Sequence, residues 1–405
     1  MKPAADNDVP ILLFGAFDRH NFGDVLFPHI VAALLDGRTL RFAGLAGRDL
    51  RACGGHHVES VAALAAAWGA RPIHLFHVGG ELLTCDAWQA AAMLLPPEQA
   101  AAIIARLDGD PPERLAWARR QLGMPGLAPY ALERRLFAGA ARVIYNAVGG
   151  VDLGRLDAAM RDEVLAKLAA ADEVSVRDRE TLAQLHAAGI AARLLPDPAV
   201  LVVELFGRRI DRHARSGEIA TILGAFPKGY LAVQFSADFG DDRTLAEIAA
   251  QLDATMLATG YGVAFFRAGA APWHDDMNCY RRVAARLRAT AVRIVESLDL
   301  WDICALIANS RAYCGSSLHG RIVAMAWALP RVNFHHPAGT GRAGKTSVFA
   351  ATWEQPDMPG SVAVDEIATA IGHALASDPE RRRQTARQLA ASYRRGFAPI
   401  RAALD

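Results

Sequence analysis

Apolar and polar positions follow two alternating patterns along this chain of 405 residues. Short apolar runs have the length of buried strands, and between them lie longer stretches with apolar residues three and four positions apart, as in helices. In the first half, the patterns predict strands at 9–17, 72–80, 142–150 and 173–178, helices at 24–37 and 180–189, and a closing segment at 192–206. Strands that alternate with helices in this way indicate an α/β fold with largely parallel sheets.

The second half repeats the alternation. The patterns there predict strands at 229–236, 262–268, 291–297, 312–317 and 331–335, with a helix at 300–310. Residues 207–228 carry mixed charges with weak periodicity, and we interpret them as a linker. Residues 376–405 are rich in arginine and predict a charged helix that packs on the outside.

These patterns predict two domains, an N-terminal α/β domain at 1–206 and a C-terminal α/β domain at 229–375. A chain of this length exceeds what one compact core usually organises. Two such halves are typical of a GT-B-like arrangement, in which two Rossmann-like domains with mostly parallel sheets face a central cleft. Parallel sheets bind ligands beyond the carboxyl ends of their strands. The turns that follow the strands are therefore the places where we expect chemistry.

Composition narrows the class of protein. Hydrophobic residues make up 52% and charged residues 21%, and 44 Lys plus Arg nearly balance 43 Asp plus Glu. This balance argues against nucleic-acid binding, which usually requires a basic excess. Five scattered cysteines without a CxxC pair disfavour a disulfide framework or a zinc site and favour a reducing, cytoplasmic location. The start of the chain does not resemble a signal peptide, and no apolar run reaches membrane-spanning length, although contact with a membrane surface stays compatible with the sequence.

Two turns of the first half carry glycine and polar residues. In "NFGD", Asn21 and Asp24 flank a glycine at the start of a predicted helix, where Asp24 suits a helix start and could contact hydroxyls or orient a base. In "HVGGELL", Gly79 and Gly80 end a buried strand and permit close approach of another chain or a ligand. A capped turn without a ligand and tight packing explain these features nearly as well.

Arg177 and Asp178 follow the strand at 173–178 and precede a helix. A charged pair at such a corner is compatible with anion binding, but it is more often an ion pair that holds the corner together. Asp197, between two prolines, is held rigidly, and rigidity alone does not indicate a function.

The stretch "GSSLHGRIVAMAWALP" at 315–330 carries the most specific chemistry. Ser316 or Ser317 can cap the helix that follows. The amides of the first turn, the helix dipole and Arg321 would then favour an anion such as a phosphate or carboxylate. His319 lies in this field, and an imidazole titrates near neutral pH, which suits proton transfer. The alternative is a histidine buried in the core with its hydrogen bonds satisfied.

The glycine-rich segment at 335–349 adds Arg342 and Lys345 as candidate anion contacts. The adjacent histidine pairs at 56–57 and 335–336 lack further ligands, so we predict no metal site.

Taken together, these motifs resemble the polysaccharide pyruvyl transferase family. The resemblance rests on their order: "NFGD", "GGELL", "VSVRDRETLAQLHAAGI" with "PDPA", and "SSLHGRIVAMAWALP" followed by Lys345. It implies a GT-B-like fold and an enzyme that transfers pyruvate from phosphoenolpyruvate to two hydroxyls of a sugar, giving a cyclic ketal, in the biosynthesis of exopolysaccharide or other cell-surface glycans. It also implies no cofactor, with phosphoenolpyruvate as co-substrate, and a sugar acceptor that includes lipid-linked sugars at the inner face of the membrane.

The resemblance implies roles for individual residues. The histidine of the family's Arg-Leu-His motif corresponds to His319, the expected general acid/base, and Asp24 is the second catalytic candidate. The expected donor-binding residues on the C-terminal domain side are Ser316, Ser317, Arg321 and Lys345, together with Arg177. The N-terminal domain is the expected acceptor side, through Asn21, Gly79 and Gly80. Ser317 stands where many relatives have arginine, so we expect either that Arg321 supplies the charge or that donor binding is altered.

Two other functions fit the same sequence. A nucleotide-sugar glycosyltransferase of the GT-B type would also hold a phosphate-bearing donor with a helix N-terminus and cations. A non-catalytic relative that binds a glycan or assembles a biosynthetic complex would keep the fold without the chemistry.

Overall fold

The computed structural model describes residues 9–336 and 344–404. These residues form two compact units, one that ends at Pro198 and takes up the chain again from Ser392, and one that runs from Ala199 to Ala391. Each unit contains its own sheet and its own hydrophobic core.

The first unit is built on an eight-stranded sheet. Its strands are β1 Ile11–Phe14, β2 Leu40–Gly44, β3 Arg48–Asp49, β4 His57–Ser60, β5 Ile73–His77, β6 Ala140–Val148, β7 Glu173–Val176 and β8 Arg193–Leu194. Its helices are α1 Phe22–Leu34, α2 Val61–Trp68, α3 Ala87–Met93, α4 Pro97–Leu107, α5 Pro111–Leu122, α6 Ala158–Ala169 and α7 Arg179–Ala187. The strand order is β3-β4-β2-β1-β5-β6-β7-β8, and every pair is parallel except β3 with β4. All residues of β1 and β5 are buried, because helices cover both faces of a parallel sheet.

The second unit has a six-stranded sheet that is parallel throughout. Its strands are β9 Tyr230–Gln234, β10 Gly262–Phe265, β11 Val292–Ile294, β12 Ala312–Gly315, β13 Arg331–Phe334 and β14 Ser361–Val362. Its helices are α8 Val202–Ala214, α9 Gly217–Ala225, α10 Asp242–Thr259, α11 Met277–Ala284, α12 Leu300–Ala308, α13 Leu318–Ala326, α14 Lys345–Trp353 and α15 Ile367–Ala376. The last helix, α16 Pro379–Ala402, begins in this unit and continues from Ser392 into the first. The strand order is β11-β10-β9-β12-β13-β14.

In each sheet, the order in which successive strands are added reverses once. In the first unit β2 lies on one side of β1 and β5 on the other, and in the second unit β10 lies on one side of β9 and β12 on the other. Such a switch point leaves a crevice at the carboxyl ends of the two strands, because the connecting helices cover opposite faces of the sheet. The loops after β1 and β5, and after β9 and β12, therefore border the places where each unit can hold a ligand.

The predicted strands are confirmed to within a few residues, but the predicted linker is wrong. Residues 207–228 include most of α8 and all of α9, and the chain passes between the units at 198–199. Ile210, Ile219 and Ile222 are buried on these helices. The mixed charges that suggested a linker therefore belong to the solvent faces of two packed helices.

The C-terminal helix also differs from the prediction. From Ser392 onward its residues belong to the first unit, where Tyr393 is fully buried. The Tyr393 hydroxyl donates to Asn146 Oδ1 at 3.0 Å, within the core of that unit. This segment is therefore part of a domain core and not an outer addition. In the described part of the chain, no helix has both the length and the apolar character to cross a membrane.

Candidate functional site

The loops after β9 and β12 meet at the switch point of the second sheet. The amide of Ser316 donates to the carbonyl of Gln234 at 3.1 Å, which extends the pairing of the two strands by one residue. The amide of Ser236 donates in turn to Ser316 Oγ at 3.2 Å. The two loops are thus tied to each other, and Ser316 accepts a protein hydrogen bond at the edge where we expected it to bind the donor.

Helix α13 begins at this point. Ser317 is its N-cap, with an extended backbone (φ −75°, ψ 130°) and Oγ accepting from the amide of Gly320 at 3.2 Å. The predicted capping role is therefore observed. His319 follows in the first turn and is 8% exposed. An added Cβ on Gly320 would lie 2.4 Å from the ring of Tyr313, so the glycine lets the helix pack closely against β12.

A buried acid is connected to the start of α13. Gln234 accepts from the amide of Ser317 at 2.9 Å through Oε1 and donates to Asp275 Oδ1 at 2.8 Å through Nε2. Asp275 also accepts from the amide of Ala268 at 2.6 Å. Burial raises the pKa of Asp275 to about 7. The sequence analysis missed this acid, which lies in the long loop between β10 and α11 and not directly after a strand.

Arg321, which the sequence analysis expects to bind the donor, is held by protein partners in this structure. Its guanidinium is fully buried and is used by protein acceptors at every nitrogen. Glu354 Oε1 accepts from Nε at 2.9 Å and lies 2.7 Å from Nη2, while Nη1 donates to Asn333 Oδ1 at 3.2 Å. Carbonyl oxygens at positions 359 and 360 accept the remaining N–H groups. An anion would have to displace this buried ion pair, because four hydrogen bonds and the Nη2 contact with Glu354 engage all three nitrogens of the guanidinium.

Arg321 instead supports the loop that carries His319. Asn333 accepts from Arg321 and donates through Nδ2 to the carbonyls of Gly315 at 2.6 Å and Ser317 at 3.2 Å. The Tyr313 hydroxyl donates to the same carbonyl of Ser317 at 3.0 Å. Both the cap residue and the strand end are therefore held by side chains beneath them.

Arg177 is likewise an ion pair at a corner, as the alternative interpretation stated, and its predicted role in donor binding is not supported. Its Nη1 donates to Asp197 Oδ2 at 3.0 Å, and its Nη2 donates to Glu81 Oε2 at 2.7 Å. The side chain is 3% exposed. Asp178 caps α7 by accepting from the amide of Thr181 at 2.7 Å. Two carboxylates thus neutralise Arg177 beside the end of β7.

The switch point of the first sheet brings together the residues predicted to bind the acceptor. Asn21 caps α1 by accepting from the amide of Gly23 at 3.2 Å, so the cap is Asn21 and not Asp24. Asp24 is 8% exposed and faces Gly80, where an added Cβ would lie 3.2 Å from Asp24 Oδ1. Gly79 and Gly80 have φ values of 122° and 101°, which favour glycine.

An arginine that the sequence analysis missed lies beside Asp24. Arg19 Nη2 is 4.0 Å from Asp24 Oδ2, and Arg19 Nη1 donates to the hydroxyl of Tyr130. Asp18, fully buried, accepts from the same hydroxyl at 3.0 Å and from the amide of Leu45 at 2.6 Å. Burial raises the pKa of Asp18. The turn "DRHNFGD" therefore contributes a held arginine as well as the asparagine and aspartate that its motif suggested.

The remaining candidates lie at the start of α14. Lys345 is its first residue and is exposed. Arg342 lies outside the described residues. Lys345 therefore stays a prediction.

Within residues 9–336 and 344–404, three side chains are grouped closely enough to hold a metal ion: His213, Asp299 and Asp302. Their atoms already contact one another and the protein. His213 Nδ1 is 2.7 Å from Asp302 Oδ1, Asp302 Oδ2 accepts from Ser297 Oγ at 2.6 Å, and Asp299 caps α12. Helix capping and an ion pair explain this arrangement without an ion.

Comparison with solved structures identifies the fold. The UDP-GlcNAc 2-epimerase of Neisseria meningitidis bound to UDP-GlcNAc is similar with a TM-score of 0.52 and 10% identity, over 98% of this chain and 99% of that chain. The UDP-GlcNAc 2-epimerase of Methanocaldococcus jannaschii in complex with UDP-GlcNAc and UDP has a TM-score of 0.51 and 9% identity, over 92% and 93%. These likenesses confirm the predicted GT-B-like α/β fold.

Sequence comparison addresses the family. No curated protein matches the chain. The sequence model of the polysaccharide pyruvyl transferase family matches residues 136–332, a range that includes Arg177, the loops of the second switch point and His319. The resemblance drawn from the motifs is thereby confirmed for residues 136–332, which match the sequence model of the polysaccharide pyruvyl transferase family.

Proposed function

We propose that the protein transfers pyruvate from phosphoenolpyruvate to two hydroxyls of a sugar and so forms a cyclic ketal. One observation carries the proposal: His319 opens α13 at the switch point of the second sheet, inside the range that matches the pyruvyl transferase family. Switch points are where parallel α/β sheets hold ligands. An imidazole at such a point can exchange protons with a ligand near neutral pH.

The reaction requires proton transfers in both directions. Protonation of the methylene carbon of phosphoenolpyruvate makes the neighbouring carbon an oxocarbenium-like electrophile. One sugar hydroxyl adds to that carbon and loses its proton, the bond to the phosphate oxygen breaks, and the second hydroxyl closes the ring and loses its proton. We assign these transfers to His319 as general acid and base, a role that contributes about 10²–10⁴-fold to a rate.

We assign donor binding to the second unit. The N-terminus of α13 carries the partial positive charge of the helix dipole, and Ser316 and Ser317 lie partly exposed at this end. Lys345, exposed at the start of α14, adds a further positive charge. Arg321 keeps a positioning role through Asn333 and Ser317.

We assign acceptor binding to the first unit. Asn21 and Asp24 present an amide and a carboxylate near the glycine pair Gly79 and Gly80, and such groups bind sugar hydroxyls. Asp24 is the candidate base for an attacking hydroxyl. The proposed reaction needs no cofactor. Acceptors include lipid-linked sugars of polysaccharide biosynthesis, which would bring the enzyme to the cytoplasmic face of a membrane.

Thermal protection distinguishes this proposal from a nucleotide-sugar glycosyltransferase. A ligand that binds the folded state at 100 times its Kd stabilises it by about 2.7 kcal/mol. We expect phosphoenolpyruvate to raise the Tm and UDP-GlcNAc to leave it unchanged. The control variant Arg208→Gln, which alters an exposed arginine of α8, should respond as the wild type does. Protection by UDP-GlcNAc without protection by phosphoenolpyruvate would reject the proposal.

A further inference from the structure

The Nε atom of Arg267 is buried and makes no hydrogen bond to the described residues. Arg267 lies two residues beyond the end of β10 and is half-buried. No hydrogen bond or ion pair joins its side chain to any residue in 9–336 or 344–404. A buried charged N–H without an acceptor is costly, and each such group in a folded protein requires an explanation.

Arg19 provides a useful contrast. Its Nε is also buried without a partner, but its Nη1 donates to Tyr130 and its Nη2 is 4.0 Å from Asp24. The guanidinium of Arg19 is thus anchored by the protein, whereas the guanidinium of Arg267 is anchored by none of the described residues.

The position of Arg267 relates it to the start of α13. The register pairs Phe265 with Val233 across β10 and β9, and Gly315 with Gln234 across β12 and β9. If the register is continued by two residues along β10 and by one residue along β12, Arg267 and Ser316 both lie beside position 235 of the chain, on opposite sides of it. Two strand spacings of about 4.8 Å place their backbones about 10 Å apart.

The backbone next to Arg267 is tied to the same loops. The amide of Ala268 donates to Asp275 at 2.6 Å, and Asp275 is connected through Gln234 to the amide of Ser317. Arg267 is therefore held at a defined place at this edge of the sheet while its charged group stays without a protein acceptor.

Arg321 and Arg331, which share Glu354, cannot provide the charge. Arg321 is saturated, and Arg331 donates to Glu354 Oε1 and Oε2, each at 2.6 Å. Both are at most 1% exposed. Their charges are committed to the interior of the unit.

We propose that Arg267 binds an oxyanion of the donor, the phosphate or the carboxylate of phosphoenolpyruvate, at the switch point of the second sheet. The inference rests on the proposed function for the identity of the donor. A guanidinium suits this task because its planar fork matches both oxyanions with two parallel hydrogen bonds. The anion would also satisfy the buried Nε.

The test compares Arg267→Gln, Arg267→Lys and the control Arg208→Gln with the wild type. We expect Arg267→Gln to raise the KM for phosphoenolpyruvate on the order of 10- to 100-fold, because it loses a charge-assisted, hydrogen-bonded pair. The KM of Arg267→Lys should lie between those of Arg267→Gln and the wild type. Without ligand, the Tm of Arg267→Gln should equal or exceed that of the wild type, because the substitution removes no hydrogen bond or ion pair to the described residues. Protection by inorganic phosphate or by pyruvate should fall in Arg267→Gln, and the probe whose protection falls identifies the oxyanion.

The outcomes separate the two proposals. If the wild type uses phosphoenolpyruvate and Arg267→Gln keeps its KM, the assignment of Arg267 is wrong and the proposed function stands. If phosphoenolpyruvate neither binds nor reacts but inorganic phosphate protects only when Arg267 is present, the proposed function is wrong and the anion site stands. If neither phosphate nor pyruvate nor phosphoenolpyruvate protects the wild type, the assignment is overturned.

Discussion

Arg321 and Glu354 form a buried ion pair in the second unit, with Nε 2.9 Å and Nη2 2.7 Å from the same carboxylate oxygen. Arg331 approaches Glu354 from the other side, so one carboxylate serves two arginines. This group lies directly under the loop that presents His319, to which Asn333 connects it. The positive charge that the motif predicts for anion binding therefore holds the protein together beneath the loop that carries His319.

Glu354→Gln should destabilise the protein strongly. Removing the carboxylate leaves two buried arginines without their counter-ion, and breaking a buried ion pair in this way costs about 3–5 kcal/mol. Urea unfolding measures the change. The control Glu296→Gln alters an exposed glutamate of the same unit and should stay within about 0.5 kcal/mol of the wild type. A stable Glu354→Gln would contradict the structural role assigned to Arg321.

Asp275 should make the free energy of unfolding fall as the pH rises, because it is a buried acid with a raised pKa. Its pKa is raised by burial from 3.8 to about 7, so the folded state binds a proton that the unfolded state has lost in this window. The contribution of Asp275 is fully present below pH 3.8 and is lost as pH rises through about 7. Relative to Asp275→Asn, the wild type should therefore lose free energy of unfolding across this range. Parallel pH profiles of the two proteins would show that the carboxyl titrates normally.

Gly80→Ala should destabilise the first unit by about 1–3 kcal/mol. Its φ of 101° is strained for alanine, and the new Cβ would lie 3.2 Å from Asp24 Oδ1. The matched change Gly207→Ala adds a Cβ that meets no atom within 4 Å, inside α8, and should stabilise the protein by about 0.5–1 kcal/mol. Thermal or urea unfolding of both variants tests the pair. Equal effects would mean that the glycine pair is not needed for the approach to Asp24.

Gly320→Ala should lower both stability and activity. The added Cβ would lie 2.4–2.5 Å from atoms of the Tyr313 ring, which is fully buried and cannot move freely. Overpacking of this kind costs about 1–3 kcal/mol, and the strain would displace α13 and His319 with it. Gly224→Ala, in an uncrowded position of α9, serves as the control. Normal activity of Gly320→Ala would argue against the need for a fixed α13.

The sequence predicted most of the strands because buried parallel strands are continuous apolar runs, as in "ILLF" of β1 and "YLAVQ" of β9. It missed β2, β3, β4 and β14, whose residues are mostly exposed or partly exposed and give a weaker pattern. It interpreted α8 and α9 as a linker because the charged residues of α8 dominate the local pattern and α9 is short. Their buried isoleucines are too few to reveal the helices without the neighbours against which they pack.

The site was predicted where the information was local. The cap at Ser317 and the left-handed glycines at 79 and 80 depend on a few neighbouring residues, and the structure contains them. Whether an arginine is free to bind a ligand depends on partners that lie far away along the chain, and the sequence alone does not reveal these partners. Arg321 meets Glu354, and Arg177 meets Glu81, only after the sheets have formed. The same argument explains why Arg267 was not noticed, since its lack of a partner is a property of the fold.

Release of phosphate from phosphoenolpyruvate in the presence of a panel of lipid-linked and nucleotide-linked sugars tests the central claim most directly. The account predicts that one sugar stimulates release and gains the mass of pyruvate less one water. It further predicts that His319→Ala, while keeping the Tm of the wild type within a few degrees, lowers the rate by about 10²–10⁴-fold. Release at the wild-type rate by a folded His319→Ala protein would contradict the account, as would the absence of release with every sugar.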